Sequence, residues 1–545
     1  MTDINPSVPH ISPPVGAVRW SRNVVRTEVS GHSCLVYAER PPSVPALLLD
    51  ARRWHGRTHF VQGHRRITFE AHERAVMRVA QRLQQAGIRA QDRVLLFGVN
   101  QVEWVVAFWA IQWLGGVAVL GNVWWSEKEL REVIEMIHPK LVLTDTPRPG
   151  GLSDDIPLLS FANLRALVDD NSKCPEFEHA PINEDDPSLI IFSSGTTGAA
   201  RGVLLSHRSV VANLQNLLVL TGRLPSELPN SHPGTVSLLS VPLFHLAGLQ
   251  VTCSTLLSGG TLVFFEGRFE AAEVLRLIEQ EKVRVWGSIP TMVSRVIDHE
   301  DFNRYDTSSL VSVPMGGASV SRELRDKVRA AFPGVHGGGG TLYGLTEAGG
   351  VLAAGSGSEI AQRPGCVGRP LPVVEVQIKN ADVDGIGEIL ARTPTAMSGY
   401  WGETSTAIDA EGWISTGDLG RLDAEGYLYV VGRSKDIIIR GGENIASVHV
   451  EQALLSHPDV IEAAVVALPH PDLGEEVGAA LLLRPGTDPD IAGLRSHAAQ
   501  SLARFEVPTR WWIRRAPLPT NATGKILRRE ITNEWMGRGG DNIIE

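Results

Sequence analysis

Short apolar runs without polar alternation recur along the first half of the chain, each followed by helical character. Arg93-Val-Leu-Leu-Phe-Gly98, Leu141-Val-Leu-Thr144, Leu189-Ile-Ile-Phe192, Thr261-Leu-Val-Phe-Phe265 and Val283-Arg-Val-Trp286 read as strands, while Val102 to Leu114 and the stretch from His207 read as helices. Strands apolar on both faces need cover on both faces, and parallel sheets layered with helices supply it. After about Leu371 the pattern changes. Val374-Glu-Val-Gln-Ile378, Glu388-Ile-Leu-Ala391 and Tyr427-Leu-Tyr-Val-Val431 alternate in polarity and imply an antiparallel, barrel-like part. From the segment Gly432-Arg-Ser-Lys-Asp436 onward the pattern is α+β. The expected architecture is multi-domain α/β. A large N-terminal domain (1–434) combines helix-covered sheets with the barrel-like part, and a small C-terminal domain (435–545) follows. Residues 1 to about 40 read as a loosely ordered lead-in.

Composition excludes several classes of function. A formal charge of −10 on 545 residues leaves no footprint for nucleic acid. The basic cluster Arg510 to Arg515 with Arg528 and Arg529 reads as a local anion contact or a solvated face. Cys34, Cys174, Cys253 and Cys366 are far apart and form no C-x-x-C, which suits unpaired thiols in a reducing cytoplasm. The N-terminus has no basic-then-apolar signal pattern, and Val102 to Leu114 is too short for a membrane span and contains Glu103. Trp104, Trp109, Trp113, Trp124 and Trp125 read as core packing at helical spacing, with a homodimer contact as the alternative.

The chemistry is concentrated in residues 192–203, FSSGTTGAARGV. Ser193, Ser194, Gly195, Thr196, Thr197 and Gly198 offer small hydroxyl donors and glycines that let an anion approach backbone N–H groups, directly after a buried strand. The stretch is not a Walker A loop, because G-x-x-x-x-G-K-[ST] is absent. Taken alone it fits a phosphate loop or a solvated linker.

Further motifs follow in order: Gly316-Gly-Ala-Ser-Val320, Tyr343-Gly-Leu-Thr-Glu347, Ser415-Thr-Gly-Asp418, Gly432-Arg-Ser-Lys-Asp436 and Leu518-Pro-Thr-Asn-Ala-Thr-Gly-Lys-Ile526. With the hydroxyl–glycine loop, this series resembles the adenylate-forming superfamily of acyl-CoA synthetases, peptide-synthetase adenylation domains and luciferases, over roughly residues 65 to 530. The resemblance implies a mobile C-terminal domain and a reaction in two halves. A carboxylate and ATP give an acyl-adenylate and pyrophosphate, and a thiol then displaces AMP. ATP, Mg²⁺ and CoA are the implied cofactor and co-substrates.

By the same resemblance, residues 193–198 and Arg201 grip the outer phosphates. Gly317 and Ala318 line the adenine slot, with Tyr343 and Gly344 at the base. Thr346 contacts the α-phosphate and Glu347 holds Mg²⁺. Asp418 takes the ribose hydroxyls and Arg433 also contacts the nucleotide. Lys435 is the implied hinge, and Lys525 the implied catalytic lysine of the first half-reaction. Gly441, Gly442 and Glu443 line the implied CoA tunnel. Two departures stand out. The family's Gly-x-Pro-Lys-Gly is here Gly198-Ala-Ala-Arg-Gly202, which loses a proline and exchanges an ammonium for a guanidinium fork. Ser447 and His449 also replace a common proline and glutamate.

Pro242-Leu-Phe-His-Leu-Ala-Gly248 resembles the acyl and aryl branch. His245 stands where amino-acid-activating relatives carry an aspartate for the substrate ammonium, so an α-amino acid lacks its partner. His245 is assigned to the acid's gate or carboxylate side. The leading expectation is a stand-alone cytoplasmic fatty acyl-CoA ligase for medium or long chains. The alternatives are an aryl or other acid–CoA ligase, an acyl-AMP ligase serving a carrier protein, and a non-catalytic nucleotide-binding regulator.

Overall fold

The computed structural model describes residues 19–545 except 147, 171, 173–177, 195–199, 268, 317–319, 321, 336–339, 364, 404–406, 489 and 521–524. The continuous apolar runs become the middle of a seven-stranded sheet. Its order is Gly399–Tyr400, Ala200–Ser206, Pro187–Ser194, Val117–Leu120, Arg93–Phe97, Leu141–Thr144 and Leu158–Ser160. Pairing is parallel from Pro187–Ser194 to the Leu158–Ser160 edge. A second sheet of five strands holds Val285–Gly287, Val236–Leu239, Thr261–Phe264, Thr58–Gln62 and Arg65–Thr68, parallel except at the last hairpin.

The helix Val102–Trp113 is apolar on every side, and a helix of that kind has to be interior. All twelve of its residues are buried, with Trp104, Trp109 and Trp113 in the largest apolar cluster. Its two polar members are partnered. Glu103 meets Arg65 at 2.7 Å. The Gln112 side chain donates to the Ser188 carbonyl and accepts from the Ser188 hydroxyl, at 2.9 and 2.8 Å. Among the described residues no helix is long and apolar enough to cross a membrane.

The alternating strands after Leu371 join an all-antiparallel sheet of seven strands, in the order Thr341–Leu345, Gly350–Gly355, Cys366–Pro370, Leu428–Arg433, Ile414–Leu422, Gly387–Arg392 and Glu375–Lys379. The C-terminal sheet draws only on strands between Ile437 and Ile544 and has its own apolar cluster, built around Val450, Leu454, Val465, Leu481 and Trp511.

Two expectations need correction. The lead-in is ordered from Arg19: Val24–Val29 and His32–Tyr37 form a hairpin whose turn residues Ser30 and Gly31 both have positive φ, the pairing that suits a two-residue turn. Trp125 is half-buried and Trp124 is 55% exposed, because both lie in a loop beyond the helix whose spacing suggested core packing. The C-terminal basic cluster is largely neutralised within the fold. Arg510 pairs with Glu476 and Asp541, Arg514 with Glu534, and Arg528 with Asp436 and Glu451. Of the cysteines, Cys34, Cys253 and Cys366 are buried free thiols, and Cys174 lies outside the described residues.

Candidate active site

Strand register builds the centre of the site. Ile414–Leu422 and Leu428–Arg433 pair antiparallel with Asp418 opposite Arg433, and Arg433 Nε stands 3.2 Å from Asp418 Oδ1. From the neighbouring end of the sheet, the Tyr343 hydroxyl donates to Asp418 Oδ2 at 2.8 Å. Asp418 is buried, and its own N–H donates to Thr416 Oγ1 at 3.1 Å. Burial pushes the Asp418 carboxyl upward; Arg433, the Tyr343 hydroxyl and the charge of Lys525 oppose it. The result is a fixed carboxylate with cations beside it, suited to accepting hydrogen bonds from a vicinal diol.

Gly344 follows from close packing. A Cβ there would lie 2.0 Å from the Gly350 carbonyl oxygen, so only glycine allows these strands to meet. The strand then turns through Thr346, whose carbonyl accepts from the Gly349 N–H at 2.9 Å. The Glu347 carbonyl accepts from Met397 N–H at 3.0 Å, and its carboxylate Oε1 accepts from the Tyr400 hydroxyl at 3.2 Å. Burial and the adjacent Glu347 charge push the Tyr400 phenol up to about 12.

The hydroxyl–glycine sequence is flanked by two antiparallel strands of the first sheet, Pro187–Ser194 and Ala200–Ser206. Ser193 and Ser194 belong to the strand Pro187–Ser194 itself, pairing with Arg201 and Ala200. Gly195, Thr196, Thr197 and Gly198 lie outside the described residues, as do Gly317 and Ala318. Arg201 is held on two sides. Its Nε and Nη2 meet the two carboxylate oxygens of Glu403, with Nε to Oε1 at 2.8 Å, and its guanidinium carbon lies 3.4 Å from the Tyr400 ring centroid.

Lys525 arrives from the C-terminal domain, within electrostatic reach of Asp418, Arg433, Asp436 and Arg528. Its amine is pushed below the usual lysine range, first by burial and then by the Arg433 cation. Arg528, three residues on, reaches Asp436 at 3.2 Å and the buried Glu451 at 2.7 Å. Lys435 sits in the 3-10 turn Ser434–Asp436, where the Ser434 hydroxyl donates to the Gly417 carbonyl at 3.1 Å. Gly441 and Gly442 make the turn before Glu443 with φ of +59° and +91°, and all three are exposed. They stand at the tip of the hairpin Ile437–Arg440/Glu443–Ala446, whereas Lys525 joins the Asp418 group.

His245 precedes the helix Leu246–Leu257, its ring 4.6 Å from Phe244, which meets Trp124 edge-on at 5.0 Å. Its Nε2 is buried without a hydrogen-bond partner among the described residues, and burial pushes the imidazole down to about 4. Burial likewise lowers His207 to about 4 and His59 to about 3. The unfolded chain takes up protons at these positions below about pH 6.5 while the folded chain stays neutral, so stability falls with pH. Thermal unfolding is expected to show the midpoint dropping steadily between pH 6.5 and 4. A flat midpoint across that window would contradict these buried neutral rings.

A buried carboxylate flanked by tyrosine and arginine, two strands of an adjoining sheet on either side of the hydroxyl–glycine sequence and a lysine from a second domain suit an adenylate-forming enzyme of the acid–CoA ligase class. The chain belongs to the AMP-binding enzyme family: residues 49–401 match the AMP-binding enzyme domain and residues 449–525 its C-terminal domain. It is 30% identical to probable CoA ligase CCL5 of Humulus lupulus, over 89% of this chain and 91% of that protein. It is 31% identical to a feruloyl-CoA synthase of an Amycolatopsis species, over 86% and 94%. Among solved structures, o-succinylbenzoate CoA synthetase of Bacillus subtilis with ATP and magnesium superposes with a TM-score of 0.77 at 26% identity, covering 90% of this chain and 99% of that one.

Tyr400, Glu403 and Glu451 were not among the site residues expected from the sequence. Tyr400 and Glu403 gain their places through the pairing of Gly399–Tyr400 with Ala200–Ser206, a contact between distant segments that no local pattern announces. Glu451 was legible only as a polar residue at an inward position of the helix Ser447–Leu455.

Proposed function

We propose that the protein joins an apolar carboxylic acid without an α-ammonium group to CoA, through an acyl-adenylate made from ATP. The convergence of Asp418, Tyr343, Arg433 and Lys525 carries this reading. Asp418 holds the ribose diol, Tyr343 lies beside the base and Arg433 adds a cation to the same nucleotide. Glu347 offers hard carboxylate oxygens that fit Mg²⁺, which bound there would neutralise phosphate charge. Lys525 places its ammonium where the acid's carboxylate and the α-phosphate must meet, countering the like charges that otherwise keep the two anions apart. Ser193, Ser194 and Arg201, with the intervening loop, steady the outer phosphates until they leave as pyrophosphate.

Thiol attack needs a second arrangement, because a lysine at the phosphates blocks the approach. A pivot at Lys435, the boundary between 1–434 and 435–545, withdraws Lys525 and brings Gly441, Gly442 and Glu443 forward. Their side-chain-free turn lets the pantetheine chain pass close to backbone.

For the acid, a neutral imidazole at His245 against Phe244, which in turn meets Trp124, favours an apolar group and offers an ammonium no countercharge. The aromatic wall favours arylpropenoic acids alongside the medium- and long-chain fatty acids. Pyrophosphate release with Mg-ATP across fatty, aryl and amino acids, with and without CoA, is the test. Acid-dependent release, with AMP and a CoA thioester appearing only when CoA is added, is the expected result. Release with amino acids alone, or AMP release indifferent to CoA, would refute the reading.

A further inference from the structure

The hydroxyl–glycine stretch of this chain ends in Ala199-Ala-Arg-Gly202, where the family that it resembles usually carries a proline and a lysine. The structure puts something else there. Arg201 is the second residue after the loop, at the start of the strand Ala200–Ser206. That strand is flanked by Pro187–Ser194 on one side and Gly399–Tyr400 on the other, and Trp401 N–H closes the pairing on the Gly202 carbonyl at 2.7 Å. The register brings Tyr400 against the guanidinium face at 3.4 Å, and Glu403 takes the Nε–Nη2 edge with both oxygens. The Tyr400 hydroxyl continues to Glu347 at 3.2 Å.

A guanidinium is suited to this position and an ammonium is not. Its plane can be fixed by an aromatic face and its Nε–Nη2 edge by a carboxylate, which leaves Nη1 outside that ion pair as a further donor. A lysine held by Glu403 would present its charge in no fixed direction.

We infer that Glu403 and Tyr400 are positioning residues that clamp Arg201 at the phosphate-loop exit, replacing the stiffness of a proline with a side-chain clamp and so setting the affinity for the outer phosphates of ATP. This rests on the reading of the site as an ATP site. The clamp fixes the Arg201 guanidinium, and the Tyr400 hydroxyl ties it to the Glu347 carboxylate at 3.2 Å. Both partners of the ion pair are about one-third exposed, at 35% and 37%, which limits the effect of breaking it to a few-fold.

The test compares Glu403→Gln with wild type in calorimetric binding of Mg-ATP, pyrophosphate and AMP, which needs no turnover. Glu403→Gln is expected to weaken Mg-ATP and pyrophosphate binding about threefold to fivefold and to leave AMP binding unchanged. In steady state the same change appears in KM for ATP, with kcat held. The decisive arm restores the proline–lysine exit with Ala200→Pro and Arg201→Lys together. In that background Glu403→Gln is expected to have no effect, because the exit no longer depends on the clamp. Equal sensitivity in both backgrounds, tighter ATP binding in Glu403→Gln, or AMP weakened as much as ATP would each overturn the inference. If Mg-ATP does not bind the wild type at all, the reading of the site as an ATP site fails, and the inference fails with it. Wild-type binding with an indifferent Glu403 rejects the inference alone.

Discussion

Lys525→Ala is expected to slow acyl-adenylate formation by about a hundredfold to a thousandfold, the loss typical of one transition-state donor in an enclosed site. Thioester formation from supplied acyl-adenylate should stay near wild type. The asymmetry follows from geometry. Lys525 shares its surroundings with Asp418 and Arg433, and on that placement rests its proposed role in the nucleotide half of the reaction. Pyrophosphate release and thiolysis, measured separately, decide the matter, and equal losses in both would overturn the two-arrangement scheme. The depressed lysine adds a second signature. Burial and Arg433 lower the pH at which its amine loses its proton, so adenylation should fall on the alkaline side before an ordinary lysine would titrate. Lys525→Arg should remove that alkaline limb, because a guanidinium stays charged throughout. An alkaline limb that persists in Lys525→Arg would assign it to another group.

Asp418→Asn should weaken AMP and ATP binding roughly a hundredfold, since a charged group with two acceptor oxygens becomes a neutral one with a single acceptor oxygen. The shape is kept, and Tyr343 and Arg433 each retain an oxygen or nitrogen nearby, so the thermal midpoint should move far less than the affinity. Arg433 is half-exposed and can rehydrate, which further limits the structural cost. Equilibrium AMP binding is the direct measurement. An affinity within twofold of wild type would remove Asp418 from the ribose contact.

The parts that could be read from sequence share a physical property: their signal is local. Leu141–Thr144 and Arg93–Phe97 announce themselves because a strand buried on both faces carries a run of apolar residues without polar alternation. Asp418 and Tyr343 were legible because each sits in a dense motif, although their 2.8 Å contact depends on the closing of a whole sheet. The early hairpin Val24–Tyr37 escaped notice because its outer strand is almost wholly exposed and carries little apolar pattern. Trp124 misled for the opposite reason: a large apolar side chain invites burial, yet the loop that carries it turns the ring outward against Phe244. The Arg201 clamp had no local sign, since Glu403 alone is an ordinary surface glutamate and its partner lies on another strand.

Arg433 is the last residue of its strand, and Lys435 is the second residue beyond it. The side chain that steadies Asp418 and the backbone proposed to swing are thus neighbours on one short length of chain. A nucleotide seated on Asp418 would tighten the very stretch on which the C-terminal domain is proposed to turn, while its departure would loosen it. Occupancy and rotation would then keep time with one another mechanically, like an escapement, without any signal having to cross the core.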